Sequence, residues 1–222
     1  MYESKKTNAR RPADFFARYL GGRIIDIGCG DDPVLAEAER FDLLEGDANE
    51  ILNFRPAGAY DCVYSSHCLE HMRAPRSALA QWWALVKPGG YIVLVVPEED
   101  LYEQGYWPSL FNKDHKATFR LRRTQSWSPV SVDLHAAVAA LPEAEIIAAE
   151  VQDEGYDHRL RGRGRPHLGF LRRLANGLAR RQPRPRGLAA SLLYLLAAIG
   201  TPVDQTRGAA LAQIQIVARK RG

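Results

Sequence analysis

Six consecutive apolar residues, Tyr91-Ile-Val-Leu-Val-Val96, closed by Pro97, predict a strand in the middle of a sheet. Arg23–Ile27 and Tyr60–Ser66 have the same β-branched character and predict two more buried strands. Further strands are expected near Phe41–Leu44 and over Glu145–Glu150. Ala212–Ala218 alternates Gln213 and Gln215 with Ile214 and Ile216, the period-two pattern of a half-exposed strand near an edge. Between these runs the apolar spacing becomes helical. Phe15, Phe16 and Leu20 share one side of a helix over Pro12–Leu20, and Leu79, Trp82, Trp83 and Val86 share one side over Ala74–Val86, which Lys87-Pro-Gly-Gly90 ends. Val130–Leu141 reads as another helix, and Val34–Arg40 leaves room for two helical turns. Strands alternating with helices predict an α/β, doubly wound, mostly parallel sheet whose ligand crevice lies beyond the carboxyl ends of the strands.

One stretch breaks the alternation. About 50 to 60 residues separate the last two strands, far more than an ordinary loop. The chain is therefore read as one domain over 1–222 with a helical insertion at about 156–207. Arg159–Arg186 holds ten arginines and no acidic residue, with a basic helical pattern over Leu168–Arg181 and a break at Gln182-Pro-Arg-Pro-Arg186. The net charge of +4 thus belongs to this segment, and the remaining body carries about −6. A general affinity for nucleic acid does not follow. Leu188–Ile199 is almost wholly apolar but too short to cross a bilayer of about 30 Å. It is expected to lie against the sheet, or to form with the basic helix a hairpin on an anionic membrane surface. The N-terminus lacks a signal-peptide pattern, and three cysteines, Cys29, Cys62 and Cys68, cannot all pair. A cytoplasmic location, with optional contact to the inner face of a membrane, is expected.

The chemistry begins at Gly22-Arg-Ile-Ile-Asp-Ile-Gly-Cys-Gly-Asp-Asp-Pro33, a strand that runs into a glycine-tight turn. Asp26, inside the apolar run, is expected to pin the turn or to meet a ligand amino group, because burying it without partners is costly. A dinucleotide loop would place a third glycine where this chain has Pro33, and Asp31 and Asp32 would repel a pyrophosphate. A cationic sulfonium nucleoside suits the site better.

Asp26-Ile-Gly-Cys-Gly30, Gly46-Asp-Ala48, Tyr60-Asp-Cys-Val-Tyr-Ser-Ser-His-Cys-Leu-Glu-His71 and Leu85-Val-Lys-Pro-Gly-Gly-Tyr-Ile92, in that order and spacing, resemble class I S-adenosylmethionine-dependent methyltransferases. The resemblance covers roughly residues 20 to 150 and the last strand. It implies a Rossmann-like, seven-stranded sheet with an antiparallel last strand, and S-adenosyl-L-methionine as cofactor. It also implies that Gly28, Cys29 and Gly30 line the methionine part, with Asp26 supporting the loop or meeting the amino group. By the same resemblance Asp42 would hold the ribose, Asp47 and Ala48 the adenine, and Ser66 and His67 would close over the methionine end. Asp42 follows Gly30 by about 12 residues where about 20 is usual, so Asp47 stands as the alternative ribose ligand.

The acceptor is expected beyond the fourth and fifth strands, where Tyr102, Tyr106, Trp107 and Phe111 could wall a ring and His115 could take a hydroxyl proton as catalytic base. A small-molecule or glycan acceptor is preferred. The alternatives are RNA, for which Arg161-Gly-Arg-Gly-Arg165 offers charge but few stacking aromatics, a cofactor-binding scaffold without turnover, and an NAD-dependent oxidoreductase. His67-Cys-Leu-Glu-His71 satisfies the H-x-x-E-H zinc pattern. It starts at a strand end with no third ligand evident in the sequence, so no metal is expected; Leu69 and His71 are read as packing and Glu70 as a cap or ion-pair partner.

Overall fold

The computed structural model describes residues 3–161, 187–198 and 201–222. The strands are β1 (Ile24–Ile27), β2 (Glu39–Phe41), β3 (Tyr60–Ser66), β4 (Val86–Pro97), β5 (Thr118–Arg120), β6 (Ser131–Asp133), β7 (Ala144–Gln152) and β8 (Gln213–Lys220). One six-stranded sheet has the order β2-β1-β3-β4-β8-β7, and β5 and β6 form a separate parallel pair. β1, β2, β3 and β4 run parallel, whereas β8 is antiparallel to both β4 and β7. The α/β class, the Rossmann-like parallel core and the antiparallel last strand are as expected.

Six strands stand in the main sheet among the described residues, where seven were expected. After Asp47 the chain coils into a 3-10 turn over Ala48–Asn53 instead of adding an outer strand, and Pro56 and Gly58 then lead straight to β3. Only Ile51 in that turn is buried, so an edge strand there would have little apolar surface to contribute.

Both faces of the sheet are covered, which is why the central strands read as unbroken apolar runs. Ile25, Ile27, Val63, Ile92, Leu94 and Val96 meet Leu79, Trp82 and Trp83 on one face. Ile24, Cys62, Tyr64 and Val93 meet Phe15 and Leu20 on the other. Trp82 and Trp83 belong to the helix Pro75–Ala84, which starts with proline in its first turn, where no N–H is required. Each fully buried side chain of this size contributes about 1.5–3 kcal/mol.

Several sequence expectations need correction. The two-turn helix over Val34–Arg40 is absent, because β2 begins at Glu39, pairing with Ile25, and the residues left can form only a turn. The second strand accordingly ends at Phe41, and Leu43 and Leu44 are exposed. The last strand is not half-exposed: Gln213 through Ala218 are buried, and β7 is the edge. Its glutamines are satisfied internally, Gln213 donating to Thr7 Oγ1 (2.9 Å) and Gln152 Oε1 (2.7 Å), and Gln215 accepting from Arg11 (3.0 Å). Finally, the apolar helix Leu188–Ala198 does not lie against the sheet with its whole surface. Leu196 is buried, but Leu188 and Leu195 are exposed, and Tyr194 is tied to Asp157 (2.8 Å) and Arg159 (2.6 Å). The basic pattern over 168–181 lies outside the described residues. Among the described residues no helix is long and apolar enough to cross a membrane.

Candidate active site

Chain order reverses between β1 and β3, where β2 lies to one side of β1 and β3 to the other. Such a switch point opens a crevice at the carboxyl ends of the strands. A cavity of about 800 Å³ occupies it, lined by Gly28 after β1, Asp42 and Leu43 after β2, Gly46 to Asn49, and His67 and Cys68 after β3, with His71 to Arg73, Asp114 and Lys116 closing the far wall.

Gly28 sits at φ +80°, and a Cβ there would come within 2.5 Å of Cys68 Cβ and Sγ. Only glycine lets the main chain pass over Cys68 and serve as bare cavity wall. Gly28 N–H donates to Phe41 carbonyl (2.8 Å), joining the turn to the end of β2. Asp42 continues the join, accepting from Gly30 N–H (2.7 Å) and Leu43 N–H (2.7 Å). Asp26 lies behind the turn, buried, and accepts from Val34 N–H (2.6 Å); burial pushes its carboxyl up to about 7. It does not line the cavity, and its bond to Val34 ties β1 to the chain just beyond the glycine turn.

Asp47 caps the 3-10 turn, accepting from Asn49 N–H (2.9 Å) and the Asn49 amide (2.7 Å), and pairs with Arg73 (2.9 Å). The bonds from Asn49, with Arg73 adding to them, hold its carboxyl below the usual range. The Trp82 indole donates to Ala48 carbonyl (2.8 Å) and Gln81 to Asn49 carbonyl (2.8 Å), so the sheet-packed helix fixes this wall.

Five of the residues nominated from sequence, Gly28, Asp42, Asp47, Ala48 and His67, thus line one cavity. Cys29, Gly30 and Ser66 lie beside it without lining it, Cys29 and Ser66 half-buried. His115 is buried behind the far wall, its Nδ1 bonded to Glu103 Oε1 (2.6 Å). Tyr102, Tyr106, Trp107 and Phe111 are not lining residues; their segment reaches the cavity through Asp114 and Lys116. Arg73, Asn49 and Cys68 were not singled out as wall residues. The pairing of Arg73 with Asp47 depends on how the helix Pro75–Ala84 docks, which no local pattern encodes.

Residues 4–131 match the family described as Methyltransferase domain. This covers more than half of the chain. The chain belongs to the methyltransferase domain family. The class I S-adenosylmethionine-dependent resemblance carried by its motifs is thereby supported, and S-adenosylmethionine is the methyl donor of that class. The methyltransferase is 31% identical over 106 residues to the ubiquinone biosynthesis O-methyltransferases of Burkholderia thailandensis and Burkholderia pseudomallei, covering 36% of this chain and 46% of theirs. It therefore spans about half the length of the curated relatives it matches. Among solved structures, a SAM dependent methyltransferase from Archaeoglobus fulgidus aligns at TM-score 0.49 with 14% identity, over 98% of this chain and 95% of that one. The YcgJ protein of Bacillus subtilis aligns at TM-score 0.41 with 13% identity, over 85% and 72%.

The cavity fits the donor on its own chemistry. Bare main chain at Gly28 lies beside the Asp42 carboxylate, which suits hydroxyl donors, and Asp47 stands further along the wall, paired with Arg73.

The far wall has a different character. Glu70, on the 3-10 turn Leu69–His71, is 1% exposed and faces three imidazoles: His67 Nδ1 at 3.6 Å, His71 Nε2 at 3.8 Å and His115 Nε2 at 4.0 Å from Oε1. Burial pushes the Glu70 carboxyl up, but the contact with His67 and the facing His115 and His71 outweigh it and hold the group below its usual range.

Proposed function

We propose that this methyltransferase moves a methyl group from S-adenosylmethionine to a hydroxyl oxygen of a small molecule. The observation that carries the reading is the single cavity joining the glycine turn and the acids after β2 to the histidines after β3. The oxygen and small-molecule preference draws on the O-methyltransferases that share part of its sequence.

Bound S-adenosylmethionine supplies a methyl carbon on a sulfonium leaving group, so the protein has mainly to orient and, for an oxygen acceptor, to manage a proton. Asp42, beside the glycine turn, takes the ribose hydroxyls; Asp47, one turn further along the same wall, takes the adenine amine, with Ala48 alongside. Gly28, flanked by Cys29 and Gly30, gives the methionine part close approach to the backbone, and Asp26 holds that turn through Val34. His67, next to Ser66 at the tip of β3, faces the reacting end. The acceptor hydroxyl meets the wall at His67 and His71, with the buried Glu70 and His115 behind it. Exposed Leu188 and Leu195 on the helix Leu188–Ala198 suit contact with a membrane carrying an apolar acceptor.

Calorimetric titration of the full chain with S-adenosylhomocysteine and, separately, with NAD tests the donor. Saturable binding of the first is expected; a signal with NAD alone would end the reading. Mass spectrometry of a cell extract incubated with isotopically labelled donor then identifies the acceptor by its mass increase. Sedimentation with anionic vesicles tests the membrane contact, and a chain left in the supernatant would remove it.

A further inference from the structure

The wall opposite the acids contains an arrangement that methyl transfer alone does not require. Both oxygens of Glu70 are buried and have no hydrogen-bond partner. A buried carboxylate left in that state costs several kcal/mol. The surrounding imidazoles relieve it only in part: His67 Nδ1, the nearest, stands at 3.6 Å with its Nε2 on Gln213 Oε1 (3.1 Å), and the outer nitrogens of the other two meet carboxylates. His71 Nδ1 lies 2.8 Å from Asp114 Oδ2, and His115 Nδ1 lies 2.6 Å from Glu103 Oε1. Carboxylates only accept, so these two nitrogens carry the protons. In the neutral imidazoles the Nε2 lone pairs then face Glu70 across 3.8 and 4.0 Å. Lone pairs aimed at an anion repel it unless a cation lies between.

The ligand atoms of Glu70, His71 and His115 all lie within 4.8 Å of one another. With metal–nitrogen and metal–oxygen bonds of about 2.0–2.2 Å, two ligands of one ion stand about 3.3–4 Å apart, depending on the angle between them. The Glu70–His71 and Glu70–His115 separations, 3.8 and 4.0 Å, fall in that range, whereas a direct imidazolium–carboxylate hydrogen bond would draw the atoms to about 2.8 Å. Asp114 and Glu103 complete the picture as outer carboxylates that fix the tautomer and orientation of metal-binding histidines.

We propose that Glu70, His71 and His115 form a binding site for one divalent transition-metal cation, of the zinc class, in the wall of the cavity. Two imidazoles and one carboxylate are a donor set that zinc accepts while keeping a position open. The sequence pattern H-x-x-E-H supplies two of the ligands, and the fold supplies the third, His115, which the sequence did not reveal. His71 lines the cavity, so the ion would be reached from it. Resting on the proposed oxygen methylation, the ion's role is to take the acceptor hydroxyl as a ligand. The O–H proton passes to water, and the lone pair left on oxygen forms the new O–C bond as the methyl carbon's bond to sulfur breaks, its electron pair leaving with S-adenosylhomocysteine.

The test uses the full chain, stripped with a chelator and titrated with zinc chloride by calorimetry, with cobalt(II) absorption in the visible range as a spectroscopic readout. One zinc per chain at micromolar affinity or tighter is expected. Glu70→Gln, His115→Ala and His71→Ala should each weaken zinc binding at least tenfold and remove the cobalt bands. His71 is half-buried, so its variant keeps the test alive if a core substitution prevents folding. Absence of stoichiometric zinc in the wild-type chain, or wild-type affinity in a folded His71→Ala or His115→Ala variant, overturns the site. S-adenosylhomocysteine binding is measured on the same stripped protein: if it persists without zinc uptake, the metal inference alone has failed. If zinc binds and the nucleoside does not, the methyl-transfer reading has failed instead.

Discussion

Replacing Asp26 by asparagine should make the protein more resistant to unfolding at neutral and alkaline pH, by an amount that the structure allows to be worked out. The carboxyl is 3% exposed within β1, and burial raises it from 3.8 to about 7. In the unfolded chain it returns to about 3.9. Between about pH 4 and about pH 7 the folded protein therefore holds a proton that the unfolded chain has released, and stability falls as pH rises through that window. Each unit of pKa difference is worth about 1.36 kcal/mol, so the gap amounts to about 4 kcal/mol. Asparagine keeps an oxygen to accept from Val34 N–H and never ionises. Urea unfolding followed by tryptophan fluorescence at intervals from about pH 4 to about pH 8 reads both proteins. Other groups with raised values, such as Glu98 at about 7, are common to both and cancel in the difference. The variant should match the wild type near the acid end and exceed it by about 2–4 kcal/mol at the alkaline end. Parallel stability curves would show that Asp26 is solvated or paired, and the burial argument would be refuted.

Gly28→Ala forces a Cβ against Cys68 at positive φ, and should cost about 2–4 kcal/mol of stability and most of the nucleoside affinity; thermal melting and calorimetry check both. Asp42→Asn and Asp47→Ala should each weaken S-adenosylhomocysteine binding by about 1–3 kcal/mol, and unchanged affinity in both would remove the ribose and adenine assignments. Excising residues 162–186 should leave that affinity intact, because the described cavity wall comes from residues 28–116; a collapse of binding would place the segment in the core.

The sequence alone determined the α/β class, the position of β3, the Tyr91–Val96 part of β4, the glycine turn and the family; the start of β4 at Val86 was read as the end of a helix. Each rests on a short window: an apolar run that fits only a doubly covered strand, or a glycine that admits a tight turn. Asp42 and Asp47 were legible as candidates through the resemblance of their motifs to the family's, not through a local pattern of their own. Tertiary structure decided what lies between distant windows. Alternating glutamines read as solvent exposure in β8, yet the strand is interior, because Thr7, Arg11 and Gln152 arrive from elsewhere to satisfy the amides. His115 read as a candidate base facing the acceptor, but the chain beyond β4 buries it against Glu70 and Glu103. Strand order and helix docking set such meetings, and neither leaves a periodicity in the residues that meet.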